Sequence, residues 1–177
     1  MSVDGYVTGP DLEKYPGYGR GGERLHAWLG HEEGRRFSAA TFAATGAVIT
    51  GRRVYDDTDG WEAQAGFFRM PVFVVTHRPH EPVTKGDTTF TFVTGGVRDA
   101  INAAIAAAGD ERVHLMGGAS VIQQALRTGL VDRVRLHVVP LLLGSGTALF
   151  DDGHGPALEW EETVDTPEAT HVSYRCA

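Results

Sequence analysis

The middle of this chain alternates between short apolar runs and helix-like stripes of apolar residues. The runs are rich in β-branched residues, which predicts buried strands at 47–50, 71–76, 89–93 and 113–116. Apolar residues spaced three and four apart fill the intervals, which predicts helices at 36–45, 100–108 and between Gly118 and Gly129. In the second helix, one face is expected to carry Ala100, Ile101, Ala104, Ile105 and Ala108. Gly46 and Gly109 are placed to end the first two helices.

The two ends of the chain have different patterns. Glycine and proline interrupt the first forty residues, which predicts a long loop with one short helix near 25–29. Alternating residues predict a half-buried strand at 134–138, and a closing antiparallel hairpin at 158–164 and 169–175. We therefore expect one α/β domain over residues 1–177. Its architecture should be a three-layer α/β/α sandwich with a mostly parallel central sheet and an antiparallel C-terminal hairpin.

Composition narrows the class of protein. The chain is 42% hydrophobic and 22% charged, as in ordinary globular domains. Its 16 basic and 23 acidic residues give a net charge of −7, and the basic residues are scattered, so nucleic acid is not an expected partner. There is no signal-peptide pattern and no apolar run near the ~20 residues that span a bilayer. With the lone Cys176, these features predict a soluble, cytoplasmic protein without membrane association.

Paired glycines follow one predicted strand directly, at Gly117 and Gly118. Glycines allow close approach of the main chain to a ligand, and the amides of a following helix favour a bound phosphate. Ligands of a parallel sheet collect at the carboxyl ends of the strands. We therefore expect a site formed by the loops after Thr50, Thr76 and Met116.

Cations lie in the other two loops. Arg52 and Arg53 follow Gly51, and Arg78 follows Thr76 by two residues. Because the net charge opposes an anion, a bound anion needs such a local positive site. A nicotinamide dinucleotide with a ribose 2′-phosphate needs two anion sites. The glycine pair can bind the pyrophosphate, and one or more of the arginines the additional phosphate.

Several segments together resemble the dihydrofolate reductase-like superfamily, in the right order and over nearly the whole chain. They are residues 2–7, the GRRVY segment at 51–55, residues 74–76 and the block 116–151, in which LVD, LHVVP and LGSG are typical of small stand-alone members. The group that the chain is most similar to is the reductase domain of the bifunctional riboflavin biosynthesis protein. The resemblance implies NADPH as cofactor and a homodimer formed through the C-terminal region.

The resemblance also implies roles for individual residues. Gly51, Arg52 and Arg53 would bind the 2′-phosphate side after Thr50, and Thr76 with Arg78 would flank the adenosine. The pyrophosphate would be bound by Gly117, Gly118, Ala119 and Ser120, with a cis peptide between the two glycines. The pocket for the reducible ring would lie between the loop around Asp4 and the segments near Tyr55, Trp61, Leu149 and Phe150. Asp4 would be the proton donor.

The expected function is hydride transfer from NADPH to a pyrimidine- or pteridine-type heterocycle, resembling 5-amino-6-(5-phosphoribosylamino)uracil reductase. Three alternatives stay open: a dihydrofolate reductase-type activity, a non-catalytic nucleotide-binding module, and a structural dimer subunit. We expect no metal, because the pairs His26 with His31 and His77 with His80 lack further ligands at matching spacing. A strand that precedes the Ser2–Gly5 segment in the family would lie upstream of Met1.

Overall fold

The computed structural model describes residues 1–64, 68–150 and 155–177. They form two compact units, one of Met1–Ala40 with Leu126–Ala177 and the other of Thr41–Ala125. The elements, in chain order, are β1 (Tyr6–Thr8), α1 (Glu32–Ala43), β2 (Thr45–Gly51), α2 (Arg52–Asp57), β3 (Val72–Val75), β4 (Val83–Lys85), β5 (Thr88–Val93), α3 (Val97–Ala108), β6 (Arg112–Leu115), α4 (Ala119–Arg127), β7 (Arg133–Val138), β8 (Thr147–Ala148), β9 (Leu158–Thr166) and β10 (Ala169–Cys176). Short 3₁₀ helices lie at Gly22–Gly30 and Asp59–Gln64.

The Thr41–Ala125 unit is built on a five-stranded sheet of order β4-β5-β3-β2-β6. Four of its strands, β5, β3, β2 and β6, are parallel, and only the edge strand β4 is antiparallel. The sequence analysis missed β4, although Gly86 and Asp87 between two β-rich segments are a typical two-residue hairpin loop. The left-handed φ of Gly86, 57°, fits that turn.

The parallel strands carry much of the buried core of this unit. One cluster of buried side chains there consists of Val48, Val72, Val74 and Phe90, together with Phe68 from the segment before β3. Strand β2 is buried along almost its whole length because it lies between two parallel neighbours. A continuous apolar run is therefore the right signal for such a strand.

Two expectations about this unit are wrong in detail. Ile105 is 50% exposed, although the rest of the apolar stripe of α3 is buried. Gly46 does not end a helix, because α1 ends at Ala43 and Gly46 lies within β2. A Cβ at Gly46 would lie 2.9 Å from the carbonyl oxygen of Ala108, so glycine is needed there for close packing of the main chain of α3.

The other unit contains two antiparallel sheets. One is the three-stranded sheet β7-β10-β9, and the other is the pair β1-β8. The core of this unit consists of Leu25, Trp28, Val139, Leu141 and Ala169. The predicted C-terminal hairpin is confirmed as β9 and β10, and the short helix near 25–29 is part of the 3₁₀ helix Gly22–Gly30.

The α/β class, the mostly parallel central sheet and the antiparallel C-terminal strands are thus confirmed. Asp151, the last residue of the segment block used in the sequence analysis, lies outside the described residues. Within the described ranges, no helix is both long and apolar enough to cross a membrane.

Candidate functional site

Three loops leave the same edge of the five-stranded sheet. Strand β2 has β3 on one side and β6 on the other, all parallel, with Gly51 paired to Val75 and Ile49 to Leu115. The loops that follow these three strands are therefore neighbours at the carboxyl edge. They are the loops that the sequence analysis selected, and all of them lie in the Thr41–Ala125 unit.

The glycines bring two of these loops into close contact. A Cβ on Gly51 would lie 3.8 Å from the Cα of Gly118 and 3.2 Å from the Val121 side chain. A Cβ on Gly118 would in turn lie 3.6 Å from the Cα of Gly51. The two loops therefore pack main chain against main chain, which brings their backbone groups together at this edge of the sheet.

The glycine pair also starts a helix. Gly117 and Gly118 both have φ of 77°, a left-handed conformation that glycine adopts without strain. The Gly118 carbonyl accepts hydrogen bonds from the amides of Val121, at 2.9 Å, and Ile122, at 3.1 Å. The amides of Ala119 and Ser120 lie in the first turn of α4, where amides have no acceptor within the helix. The expected cis peptide is wrong: no described peptide bond is cis.

Thr50 supplies an unpaired polar atom beside this pair of loops. Its side chain is fully buried at the end of β2, and among the described residues its Oγ1 has no hydrogen-bond partner. A Cβ on Gly117 would lie 3.5 Å from that oxygen. Buried hydroxyls are nearly always hydrogen-bonded, so a buried hydroxyl without a protein partner indicates a hydrogen bond to a bound molecule. Together with the bare glycine loops, it fits an anionic, hydrogen-bonding cofactor.

At this edge of the sheet, the Arg52 side chain is fixed by an ion pair and by a neighbouring aromatic ring. Its Nε donates a hydrogen bond to Oδ1 of Asp56 at 2.7 Å, and its guanidinium lies 5.6 Å from the ring centre of Phe92. Arg53, the next residue, is exposed. The sequence analysis missed Asp56, although opposite charges four residues apart on a helix are a recognised signal of an ion pair.

The loop after β3 is organised by Thr76. Its buried hydroxyl accepts a hydrogen bond from the Arg78 amide at 3.1 Å, which fixes the turn. The Arg78 side chain is largely exposed, and its Nη2 lies 3.8 Å from Oδ2 of Asp56. Arg52 and Arg78 thus come together on one carboxylate, as expected for loops after adjacent parallel strands.

Tyr55 and Trp61 pack in the core of the same unit. The Tyr55 ring meets Phe90 and Phe92 edge-on, with ring centres 5.2 and 5.1 Å apart. Trp61 has a left-handed φ of 56° and lies edge-on to Phe68 at 4.8 Å. Both side chains are only partly buried, so each has a packed side and an accessible side.

The remaining predicted residues lie in the other unit. Asp4 is exposed, and its carboxylate accepts hydrogen bonds from the amides of Gly144 and Leu143. The Leu149 amide donates to the Gly5 carbonyl at 2.9 Å, which joins the Asp4 turn to the Leu149 segment. Leu149 is buried, whereas Phe150 is 42% exposed.

The pKa of Asp4 lies below its ordinary value. The main cause is the Ser2 hydroxyl, which hydrogen-bonds the carboxylate, with further contributions from the amides of Gly144 and Leu143. A general acid at neutral pH needs a raised carboxyl pKa. The direction of this shift favours a carboxylate that fixes a loop over one that releases a proton.

Comparisons with known proteins show the family and the fold of the chain. The model of a family described as the RibD C-terminal domain matches residues 1–172, and thus both units. No curated protein sequence matches the chain. Among solved structures, a Shewanella sp. PV-4 protein provisionally named for riboflavin biosynthesis has a TM-score of 0.78 at 23% identity, covering 100% of this chain and 95% of that one.

Two further structures share the fold. The Thermotoga maritima diaminohydroxyphosphoribosylaminopyrimidine deaminase/5-amino-6-(5-phosphoribosylamino)uracil reductase has a TM-score of 0.66 at 11% identity, over 100% of this chain and 54% of that one. Enterococcus faecalis dihydrofolate reductase, determined with NADP(H), has a TM-score of 0.52 at 14% identity, over 80% and 81% of the two chains. These likenesses establish a dihydrofolate reductase-like fold.

Proposed function

Because the chain belongs to the RibD C-terminal domain family, we propose that it is an NADPH-dependent reductase of a pyrimidine- or pteridine-type heterocycle. The proposed reaction resembles that of 5-amino-6-(5-phosphoribosylamino)uracil reductase, the activity named for the Thermotoga relative. The observation that carries the proposal is the close approach of Gly51 and Gly118 beside the unpaired Thr50 hydroxyl. Main-chain amides at the glycine loops, beside a buried hydroxyl without a partner among the described residues, suit a dinucleotide.

Each loop has a separate part in cofactor binding under this proposal. Amides of Ala119 and Ser120, behind Gly117 and Gly118, would bind the pyrophosphate. Arg52 and Arg53 would bind the 2′-phosphate, and the loop from Thr76 to Arg78 would flank the adenosine. These arginines would provide the local positive site that an anionic cofactor needs on a protein of net negative charge.

The bound cofactor would supply a hydride to a ring carbon of the substrate. The protein's own contribution is to align the two reactants and exclude water. Tyr55 and Trp61 are the residues of the Thr41–Ala125 unit that we propose for contact with the substrate ring, and the roles of Leu149 and Phe150 stay predictions from the resemblance. Asp4 remains the proposed carboxylate of the reaction, with its lowered pKa favouring a positioning role over proton donation.

The cofactor part of the proposal is tested by direct binding. We expect the R52Q/R53Q double variant to weaken NADPH binding at least tenfold, while NADH binding changes little. The matched control is R112Q, since Arg112 is exposed and begins β6 at the opposite edge of the sheet. Equal affinity of the wild type for NADPH and NADH, or an equal loss in R112Q, contradicts the assignment.

The catalytic part needs a substrate panel. Loss of NADPH absorbance should follow addition of an aminouracil, a pterin or dihydrofolate, with the aminouracil preferred. If NADPH binds but no compound is reduced, a non-catalytic nucleotide-binding module is the better description. We further propose a homodimer located in the cytoplasm, which the molecular mass in solution and cell fractionation would test.

A further inference from the structure

The Asp56 carboxylate lies between Arg52, which is proposed to bind the 2′-phosphate, and Arg78, whose loop is proposed to flank the adenosine. Oδ1 of Asp56 accepts the Nε hydrogen bond of Arg52 at 2.7 Å, and Oδ2 lies 3.8 Å from Nη2 of Arg78. The arginines come from different loops, one at the start of α2 and the other after β3. The carboxylate therefore links the two loops through one oxygen on each cation.

In this arrangement, the Asp56 carboxylate is the anion between two guanidinium groups that could also bind a phosphate. Guanidinium groups bind carboxylates and phosphate monoesters through the same N–H geometry. Arg52 is positioned independently of any ligand, because Phe92 and Tyr55 lie near its guanidinium, with ring centres at 5.6 and 6.0 Å. A phosphate that approaches this pair meets cations already in place and a like-charged carboxylate between them.

The two forms of nicotinamide dinucleotide use opposite chemistry at this position. An acidic residue accepts a hydrogen bond from the ribose 2′-hydroxyl of NADH, whereas arginine accommodates the 2′-phosphate of NADPH. Asp56 fits the first, and Arg52 with Arg78 fits the second. The site thus holds both recognition elements at once.

We propose that Asp56 determines cofactor specificity by competing with the 2′-phosphate for Arg52 and Arg78, and so limits the preference for NADPH over NADH. This inference rests on the proposed function, because it assumes that the dinucleotide ribose lies at the arginine pair. Asp56 acts through the two arginines and does not take part in hydride transfer. Its removal should improve NADPH binding and leave the affinity for NADH unchanged or weaker.

The test compares D56N with D57N, measured as dissociation constants for NADPH and NADH by titration calorimetry. Asp57 is the matched control, since it is the next residue of α2, is also exposed and gives the same charge change. We expect D56N to tighten NADPH binding about tenfold, because the guanidinium groups of Arg52 and Arg78 no longer pair with a carboxylate and can bind the 2′-phosphate. In D57N, both affinities should stay within about twofold, because solvent screens an exposed charge that links neither arginine to the other loop.

A double-mutant cycle tests whether Arg52 is the residue through which Asp56 affects NADPH binding. If Asp56 acts through Arg52, D56N should give a clearly smaller gain in an R52Q background, in which only Arg78 is freed. Weaker NADPH binding in D56N, or equal changes for both dinucleotides, overturns the inference and leaves the proposed function intact. Wild-type protein that binds neither dinucleotide overturns the proposed function and this inference with it. Melting temperatures of all variants identify any that fail to fold.

Discussion

Oδ2 of Asp4 accepts a hydrogen bond from the Gly144 amide at 2.7 Å, which joins a turn near the start of the chain to a loop 140 residues later. The same carboxylate accepts the Leu143 amide through Oδ1 at 3.2 Å. Charge-assisted bonds of this kind are stronger than neutral ones. The ionised Asp4 carboxylate therefore holds the two amides of the loop, and this structural role does not require it to donate a proton.

We expect D4N to retain most of the reductase rate, since its amide oxygen can still accept one loop amide. D4A should lose more, because both loop bonds disappear. Hydrogen exchange of the Leu143 and Gly144 amides should be faster in D4A than in D4N. The control is D11N, which breaks only the exposed ion pair with Arg20. A collapse of kcat in D4N with slow exchange at both amides supports the proton-donor role instead.

The sheet and its functional edge were predictable because their signals are local. An apolar β-branched run such as Val72–Val75 predicts a buried strand, and a parallel sheet places the following loops together. The same reasoning selected the loops that contain Gly51 and Gly118, and in the structure these two glycines lie close together. The sequence was sufficient for features that depend on a single strand or helix, or on the rule that loops after parallel strands lie at one edge of the sheet.

Features that depend on distant contacts were not predictable. Gly46 seemed to be a helix stop, but its role follows from the Ala108 carbonyl, far along the chain. The link between Asp56 and Arg78 likewise depends on how two loops pack. The pKa of Asp4 is lowered in part by the distant amides of residues 143 and 144. Sequence pattern carries no signal for such contacts.

Thr50 provides a test with opposite signs for stability and binding. Its buried Oγ1 has no partner among the described residues, and such an atom costs about 1–3 kcal/mol. We expect T50V, which has the same shape, to raise the unfolding free energy of the ligand-free protein by about 1 kcal/mol. NADPH binding should weaken, since the ligand loses a hydrogen-bond partner. Urea denaturation and calorimetry measure the two effects.

The matched control is T76V. Thr76 is also buried, but its hydroxyl accepts the Arg78 amide at 3.1 Å, so T76V should lower the unfolding free energy by about 1 kcal/mol. Destabilisation by T50V as well would mean that its hydroxyl already has a partner in the free protein.

Substitution of Gly118 separates two reasons for a glycine there: its left-handed backbone conformation and its place in the proposed NADPH site. Its φ is 77°, so alanine there should cost about 1 kcal/mol of stability. Gly129 has a similar φ of 71° with open space around it, and G129A should cost about the same. Only G118A adds a Cβ beside Gly51, 3.6 Å from its Cα. We therefore expect G118A alone to weaken NADPH binding, and equal affinities of the two variants would argue against a binding role for Gly118.

A histidine pair should make stability depend on pH. Nδ1 of His137 lies 2.6 Å from Nδ1 of His171, so one of the two atoms must carry a proton and the other must accept it. His171 is buried, and its Nε2 lies 2.8 Å from the Thr166 hydroxyl. Burial lowers the pKa of His171 below 6.5, and the charge of Arg135 lowers it further, against an opposing effect of Asp165.

The sign of the pH effect follows from this shift. As pH falls below 6.5, the unfolded chain binds a proton at residue 171 that the folded protein does not. The unfolding free energy should therefore decrease with falling pH and level off once the folded protein is protonated as well. Urea denaturation at several values between about pH 7.5 and 5 measures this.

Replacing the buried histidine isolates its contribution. We expect H171Q to be less stable at neutral pH, because the stack of Phe37 on the imidazole, with ring centres 4.2 Å apart, is lost. Its unfolding free energy should nevertheless depend less on pH than that of the wild type. H77Q is the control, since His77 is exposed on the loop after β3, and it should keep the wild-type slope. A slope unchanged in H171Q would assign the pH dependence to other groups.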